Sequence, residues 1–259
     1  RDLHSFPTRR SSDLKQDLNN LIKFIFLQFY IHFKMDFVKK FVIGDIHGCY
    51  KTFKKLFYDT LKPEKTDEVY LLGDLIDRGP GIKQVVDEVM NLKSKGYKIC
   101  SVRGNHEELL LESLFSFCDT HAWVSNGAYS TLKSFNITHP LQLEPEYLRF
   151  FRGMKYYYLT EDFVIVHAGL NCKIDNPFED TFSMLWTRDE YVNRSLIGGR
   201  RVICGHTPTS QEKVRNSLNQ DKIFLDGGCV YKGLHIPGGF LFALELNTMT
   251  LYEQYNVDW

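Results

Sequence analysis

The chain has 259 residues, 43% hydrophobic and 25% charged, a composition that suits one globular domain with a sizeable core and excludes a disordered or fibrous chain. Lysine plus arginine equals aspartate plus glutamate, 32 each, so no overall charge excess points to a nucleic-acid polymer or an anionic membrane as partner. Six scattered cysteines form no Cys-x-x-Cys pair and no dense disulfide framework; that usage fits a reducing, cytoplasmic compartment.

The first 34 residues stand apart from the rest of the chain. Arg1 to Leu14 resembles translated sequencing-adapter sequence, and Met35 stands just before the first convincing strand. The expectation is a non-native or disordered extension over 1–34 and one domain over 35–259. Leu21 to Phe33 is apolar, but Lys23, Gln28 and His32 interrupt it, and it falls short of the roughly 20 residues a spanning helix needs. No small-residue cleavage pattern comes after it.

From Phe37 to Ile43 the chain is rich in Val, Ile and Phe and ends at Gly44-Asp45. Phe53, Leu56, Phe57 and Leu61 follow at helical spacing. The same strand, loop and helix unit recurs at Glu68 to Leu72, with Ile82, Val85, Val86, Val89 and Met90 marking the buried helix face. It recurs again at Tyr97 to Val102, before a helix expected to begin near Glu107. Alternation of this kind predicts a largely parallel sheet covered on both faces. Residues 118–154 carry no clear repeat and are expected to form helices beside the site. Tyr156 to Val166 reads as a hairpin whose second strand delivers His167, and Arg201 to Gly205 delivers His206. The runs Ile223 to Leu225, Phe240 to Leu246 and Met249 to Tyr255 suggest a second sheet packed on the first.

Four segments stand at the carboxyl ends of these strands: Gly44-Asp45-Ile46-His47-Gly48, Gly73-Asp74-Leu75-Ile76-Asp77-Arg78-Gly79, Arg103-Gly104-Asn105-His106-Glu107, and the separated histidines His167 and His206. Loops at that edge of an open α/β sheet converge, so Asp45, Asp74 and Asn105 can be neighbours. Carboxylate, amide and imidazole together are the donors of a two-metal hydrolytic centre. Singly, each has an ordinary structural role: an aspartate at such a junction is more often a helix cap, and a lone histidine is usually a hydrogen-bonded structural one. Their order along the chain argues for the centre.

The segments resemble those of the calcineurin-like metallophosphoesterases, and within them the phosphoprotein phosphatase branch with its compact bacterial and phage serine/threonine phosphatases. The resemblance implies an α/β fold, a four-layer β-sandwich of mixed sheets flanked by helices. It implies that Asp45 and His47 bind a first divalent ion, Asp74 bridges to a second, and Asn105, His167 and His206 complete the second. Manganese is the implied metal, with iron and zinc also suited to these ligands. A hydroxide bridging the ions would attack phosphorus in line, His106 would protonate the leaving group, and Asp77 would orient His106. Arg78, Arg103 and Arg188 match phosphate-binding arginines; for Arg78 and Arg103 the competing assignment is a buried salt bridge that shapes the loop, and for Arg188 a surface residue. Asp226-Gly227-Gly228 resembles a late motif of the branch, though a turn suffices to explain it.

Three functions are consistent with that resemblance. The first is a serine/threonine protein phosphatase acting on a phosphoprotein or phosphopeptide, favoured by Asp77 and Glu107. The second is a dinucleoside polyphosphate hydrolase of the diadenosine tetraphosphate type, whose similar proteins share Gly-Asp-x-His-Gly-Cys-Tyr but commonly lack the acid at Asp77 and carry aspartate where Glu107 stands. The third is a phosphoprotein-binding pseudoenzyme, against which the full set of ligands speaks.

Overall fold

The computed structural model describes residues 38–234 and 238–259, together with Gln16 and 20–24. The chain divides into two compact units, 1–38 and 39–259. In the first, 20–24 is helical with exposed side chains; most of the apolar run ending at Phe33, and His4, His32 and His235, lie outside the described residues. No helix among the described residues is long and apolar enough to cross a membrane.

Among the described residues of the second unit nine strands make two mixed sheets. The first runs β3-β2-β1-β8-β9, with β1 (Lys40–Ile43), β2 (Glu68–Leu71) and β3 (Lys98–Ser101) parallel, and β8 (Phe240–Glu245) and β9 (Thr250–Tyr255) antiparallel beside β1. The second runs β4-β5-β6-β7. Here β5 (Phe163–Val166), β6 (Arg201–Cys204) and β7 (Lys222–Phe224) are parallel, and β4 (Tyr157–Leu159) pairs antiparallel with β5.

The late runs depart from expectation. Of the three, only Ile223 to Leu225 enters the second sheet; the other two close the first. The reason lies in β8, whose residues are buried on both faces: Leu241 and Ala243 pack with the helices, Phe242 and Leu244 between the sheets. A strand that is apolar on both sides belongs in the middle of a covered sheet.

Period-two alternation sets the layers. Phe41, Ile43, Val69 and Leu71 face a core they share with the helices Ile82–Ser94 and Asn105–Glu112. Val42, Tyr70 and Leu72 face the opposite way and meet Phe163, Ile165, Ile203 and Ile223 of the second sheet. Val164, Val166 and Val202 turn outward to pack on Met184 and Ile197 of the outer layer. Helices, sheet, sheet and helices make the four layers expected. The 118–154 region supplies helices Phe117–Ser125, Ala128–Phe135 and Pro145–Arg152. The first helical stretch, Tyr50–Lys54, continues as a π-helix over Lys55–Leu61, and Phe53, Leu56, Phe57 and Leu61 are all buried on it.

Candidate active site

Parallel pairing within each sheet brings the carboxyl ends of β1, β2 and β3 to one edge, and those of β5, β6 and β7 to one edge of the second. Asp45, Asp74 and Asn105 follow the first three strands; His167, His206 and Asp226 follow the other three. All six are buried or nearly so. His47 Nε2 lies 3.3 Å from Asp74 Oδ2, and His167 Nε2 lies 3.5 Å from Asp74 Oδ1. Asn105 Oδ1 lies 2.9 Å from His167 Nε2 and 3.0 Å from His206 Nδ1. The structure thus gathers Asp45, His47, Asp74, Asn105, His167 and His206 into one cluster.

Backbone contacts fix which ring nitrogens face inward. His47 Nδ1–H donates to the Ile76 carbonyl at 2.8 Å, and His167 Nδ1–H donates to the Leu72 carbonyl at 2.7 Å. Each Nε2 therefore carries a lone pair, that of His47 accepting from Arg78 in this structure, and this is the tautomer in which a histidine ligates a metal. Close approach of the chain completes the packing. A Cβ at Gly205 would collide with the Asp45 carboxylate, and one at Gly104 would collide with Asp74 Oδ1. Several site residues hold left-handed backbone: His47 at φ 44°, Asp74 at 47°, Asp77 at 68°, Arg78 at 70° and His206 at 70°. Non-glycine residues rarely occupy this region, and such strain concentrates at functional sites.

A pair of cations fits this donor set. Lone pairs of Asp45, Asp74, Asn105, His47 and His167 converge with few proton donors between them, and Asp45 Oδ1 is buried without a hydrogen-bond partner. Two groups of ligand atoms, those of His47, Asp74 and His106 and those of Asp45, Asp74 and His167, lie within 4.8 Å of one another. Asp74 belongs to both. Burial pushes the Asp45 carboxyl well above its usual range, and the neighbouring charges of Asp226 and Asp74 push the same way. Burial also works to raise Asp74, but His167, His106 and His47 outweigh it and hold this carboxyl well below the usual range. His206 is pushed down to about 3 by burial and then by His167, which leaves a neutral imidazole able to ligate.

His106 sits at the start of its helix, 1% exposed. Its Nδ1–H donates to Asp77 Oδ2 at 2.6 Å, while Nε2 faces Asp74 Oδ2 at 3.9 Å. Burial lowers its affinity for a proton, opposed by Asp74 and Asp77. Asp77 is itself held: Trp123 Nε1–H donates to its Oδ2 at 2.9 Å, the Thr131 hydroxyl donates to Oδ1, and Asp77 N–H donates to Thr131 Oγ1 at 3.0 Å. Trp123 and Thr131 were not legible as site residues, because they lie in a segment without pattern. Glu107 is the other addition. Its carboxyl accepts from the backbone N–H groups of Asp74, Leu75 and Gly104 at 2.8 to 2.9 Å, binding the second motif to the third. Asp226, which the sequence offers only as part of a turn motif, follows β7 as Asp45 follows β1 and lies buried near the cluster.

The three arginines differ in their placement. Arg78 Nη1 donates to His47 Nε2 at 2.6 Å. Arg103 is tied to its own loop: Nη1 donates to Glu108 at 2.8 Å and to Tyr156 at 3.2 Å, and Nη2 donates to the Arg152 carbonyl at 3.0 Å. Arg188 is exposed, close enough to His206 for its charge to oppose protonation there.

The chain has relatives of known name. A bis(5'-nucleosyl)-tetraphosphatase PrpE from Anoxybacillus flavithermus is 27% identical over 236 residues, 80% of this chain and 90% of the relative. Serine/threonine-protein phosphatase 1 from Salmonella typhimurium is 26% identical over 204 residues, 74% of this chain and 87% of the relative. The crystal structure of a cold-active protein-tyrosine phosphatase from a psychrophilic Shewanella superposes with a TM-score of 0.57 at 15% identity, covering 86% of this chain and 79% of that one, a likeness of fold. The family model of the calcineurin-like phosphoesterases matches residues 39–230, a span that contains every candidate ligand of the cluster, and the chain belongs to that family.

Proposed function

We propose that this chain is a metal-dependent hydrolase whose substrate is a dinucleoside polyphosphate. The observation that carries hydrolysis is the convergence of two ligand groups on the shared carboxylate Asp74. The substrate class is supported by relatives of the tetraphosphatase type, which align over most of their length. In this reading Asp45 and His47 would hold one divalent ion, Asn105, His167 and His206 would hold the other, and Asp74 would serve both; manganese is the first ion to supply, then iron or zinc. A bound pair would act as Lewis acid toward a phosphoryl oxygen and as a source of activated water.

The chain's own residues do the rest. Asp77, oriented by Trp123 and Thr131, fixes the ring of His106 and favours its protonated form, so that Nε2–H can be delivered to the departing oxygen. Arg78 neutralises phosphate charge beside His47. A second reading, phosphoprotein phosphatase, is favoured by one observation, the 2.6 Å contact between His106 and an acid at position 77, and by the Salmonella relative.

The test is parallel turnover of diadenosine tetraphosphate, a phosphopeptide and an aryl phosphate by protein stripped with chelator and then reloaded with Mn2+. Dominant nucleotide cleavage, dependent on the ion, is the expected result. Dominant phosphopeptide turnover would favour the second reading, and no product from any substrate would leave a binding protein.

A further inference from the structure

Beside the ligand cluster a cleft of about 640 Å³ opens between the helix Ile82–Ser94 and the helix Ala128–Phe135, a volume typical of ligand pockets. Arg78 is among the residues that line it. That guanidinium touches His47 Nε2 on one side, and the Arg78 N–H donates to the Gly127 carbonyl on the other, so the cleft begins where the candidate site ends. Its walls combine two features. One is positive charge: Arg78, Lys83 and Lys133 line it. Lys83 is paired with Asp87 at 2.8 Å, whereas the Lys133 ammonium has no partner among the described residues. The other is exposed aromatic surface: Tyr129 is 74% exposed and Trp259 50% exposed, and both rings line the cleft.

Lys83 has structural partners in Asp87 and Tyr147, but neither Tyr129 nor the Lys133 ammonium is used by the fold. Tyr129 lies on the solvent side of its helix, whose buried residues are Ala128 and Thr131, and contributes little to the core. An aromatic face beside cationic side chains is how proteins hold bases and the phosphates attached to them. A protein phosphatase substrate would present neither a base to stack nor a chain of phosphates. Resting on the reading of the substrate as a dinucleoside polyphosphate, we propose that this cleft is a subsite for the distal nucleoside phosphate, with Tyr129 stacking the base and Arg78 and Lys133 holding the polyphosphate.

The variants Tyr129→Ala and Lys133→Glu change exposed side chains. The readout is the ratio of kcat/KM for diadenosine tetraphosphate to kcat/KM for an aryl phosphate, which has no distal nucleoside. Each variant should lower that ratio by about 10-fold or more, mostly through KM. Lys98→Glu, at the far end of β3, should leave it unchanged. A ratio within twofold of the unmodified protein would overturn the proposal, as would an equal loss of phosphopeptide turnover, which would make the cleft a peptide groove. Equilibrium dialysis with ADP separates this inference from the substrate assignment. If the protein fails to cleave diadenosine tetraphosphate yet binds ADP, and the two variants weaken that binding about 10-fold, the cleft is a nucleotide site and only the substrate assignment falls. Absent or unaltered ADP binding overturns the subsite.

Discussion

At the scale of the residue, His106 and Asp74 occupy places that give opposite mutational signatures. His106 reaches Asp77 through Nδ1 and keeps Nε2 toward the cluster, and in the proposed function it moves a proton. His106→Asn should lower turnover by about 10² to 10⁴ while metal content, measured by elemental analysis, stays near that of the unmodified protein. Unchanged turnover would remove it as the acid. Asp74 faces His47 with one oxygen and His167 with the other. Asp74→Asn keeps the shape and deletes the charge, and both ions should be lost on gel filtration in metal-free buffer; retention of two would contradict a bridging role. Burial holds Asp45 and Asp226 above the usual carboxylate range, whereas the neighbouring histidines hold Asp74 below it, so Asp74 is the carboxylate of the three whose negative charge is favoured, and its loss takes that charge from both ligand groups. Arg103 gives a third signature, since its guanidinium is held by Glu108 and Tyr156 and its Nε is buried without a partner.

At the scale of the element, the decisive link is Glu107. One carboxyl in the first turn of the helix Asn105–Glu112 gathers N–H groups from the loop that bears Asp74 and from Gly104. Burial and the nearby charge of Asp74 push this carboxyl up to about 8, against the pull of those N–H groups. Glu107→Gln would turn an amide N–H₂ toward backbone donors and should cost about 1–3 kcal/mol, read as a lower urea midpoint. A midpoint within error of the unmodified protein would show that the loop holds itself. Strand-loop-helix units were legible here because Val, Ile and Phe runs end abruptly at Gly-Asp or Gly-Asn. Trp123 and Thr131 were not, because a single aromatic and a single hydroxyl in a region without period look like any other helix residues. Likewise the membership of β8 depends on what covers its second face, which only the assembled layers reveal.

At the scale of the whole molecule, residues remote in sequence close the fold around the first motif. Cys49 precedes the helix Tyr50–Lys54 and supplies no side-chain cap; Asp258 supplies it instead, accepting from Lys51 N–H at 2.9 Å, Thr52 N–H at 3.0 Å and the Thr52 hydroxyl at 2.6 Å. Asp258→Ala should therefore cost about 1–2 kcal/mol, the loss of a helix cap, measurable by thermal or urea unfolding. Local reading of the helix could not find a cap 206 residues away. The left-handed backbone at His47, Asp74, Asp77, Arg78 and His206 has a bearing on ancestry and engineering. Glycine at such a position relaxes the chain and erases the side chain that acts. A lineage screened only for endurance at high temperature would drift toward glycine at these places, so its hardiest members should be found among its inactive ones.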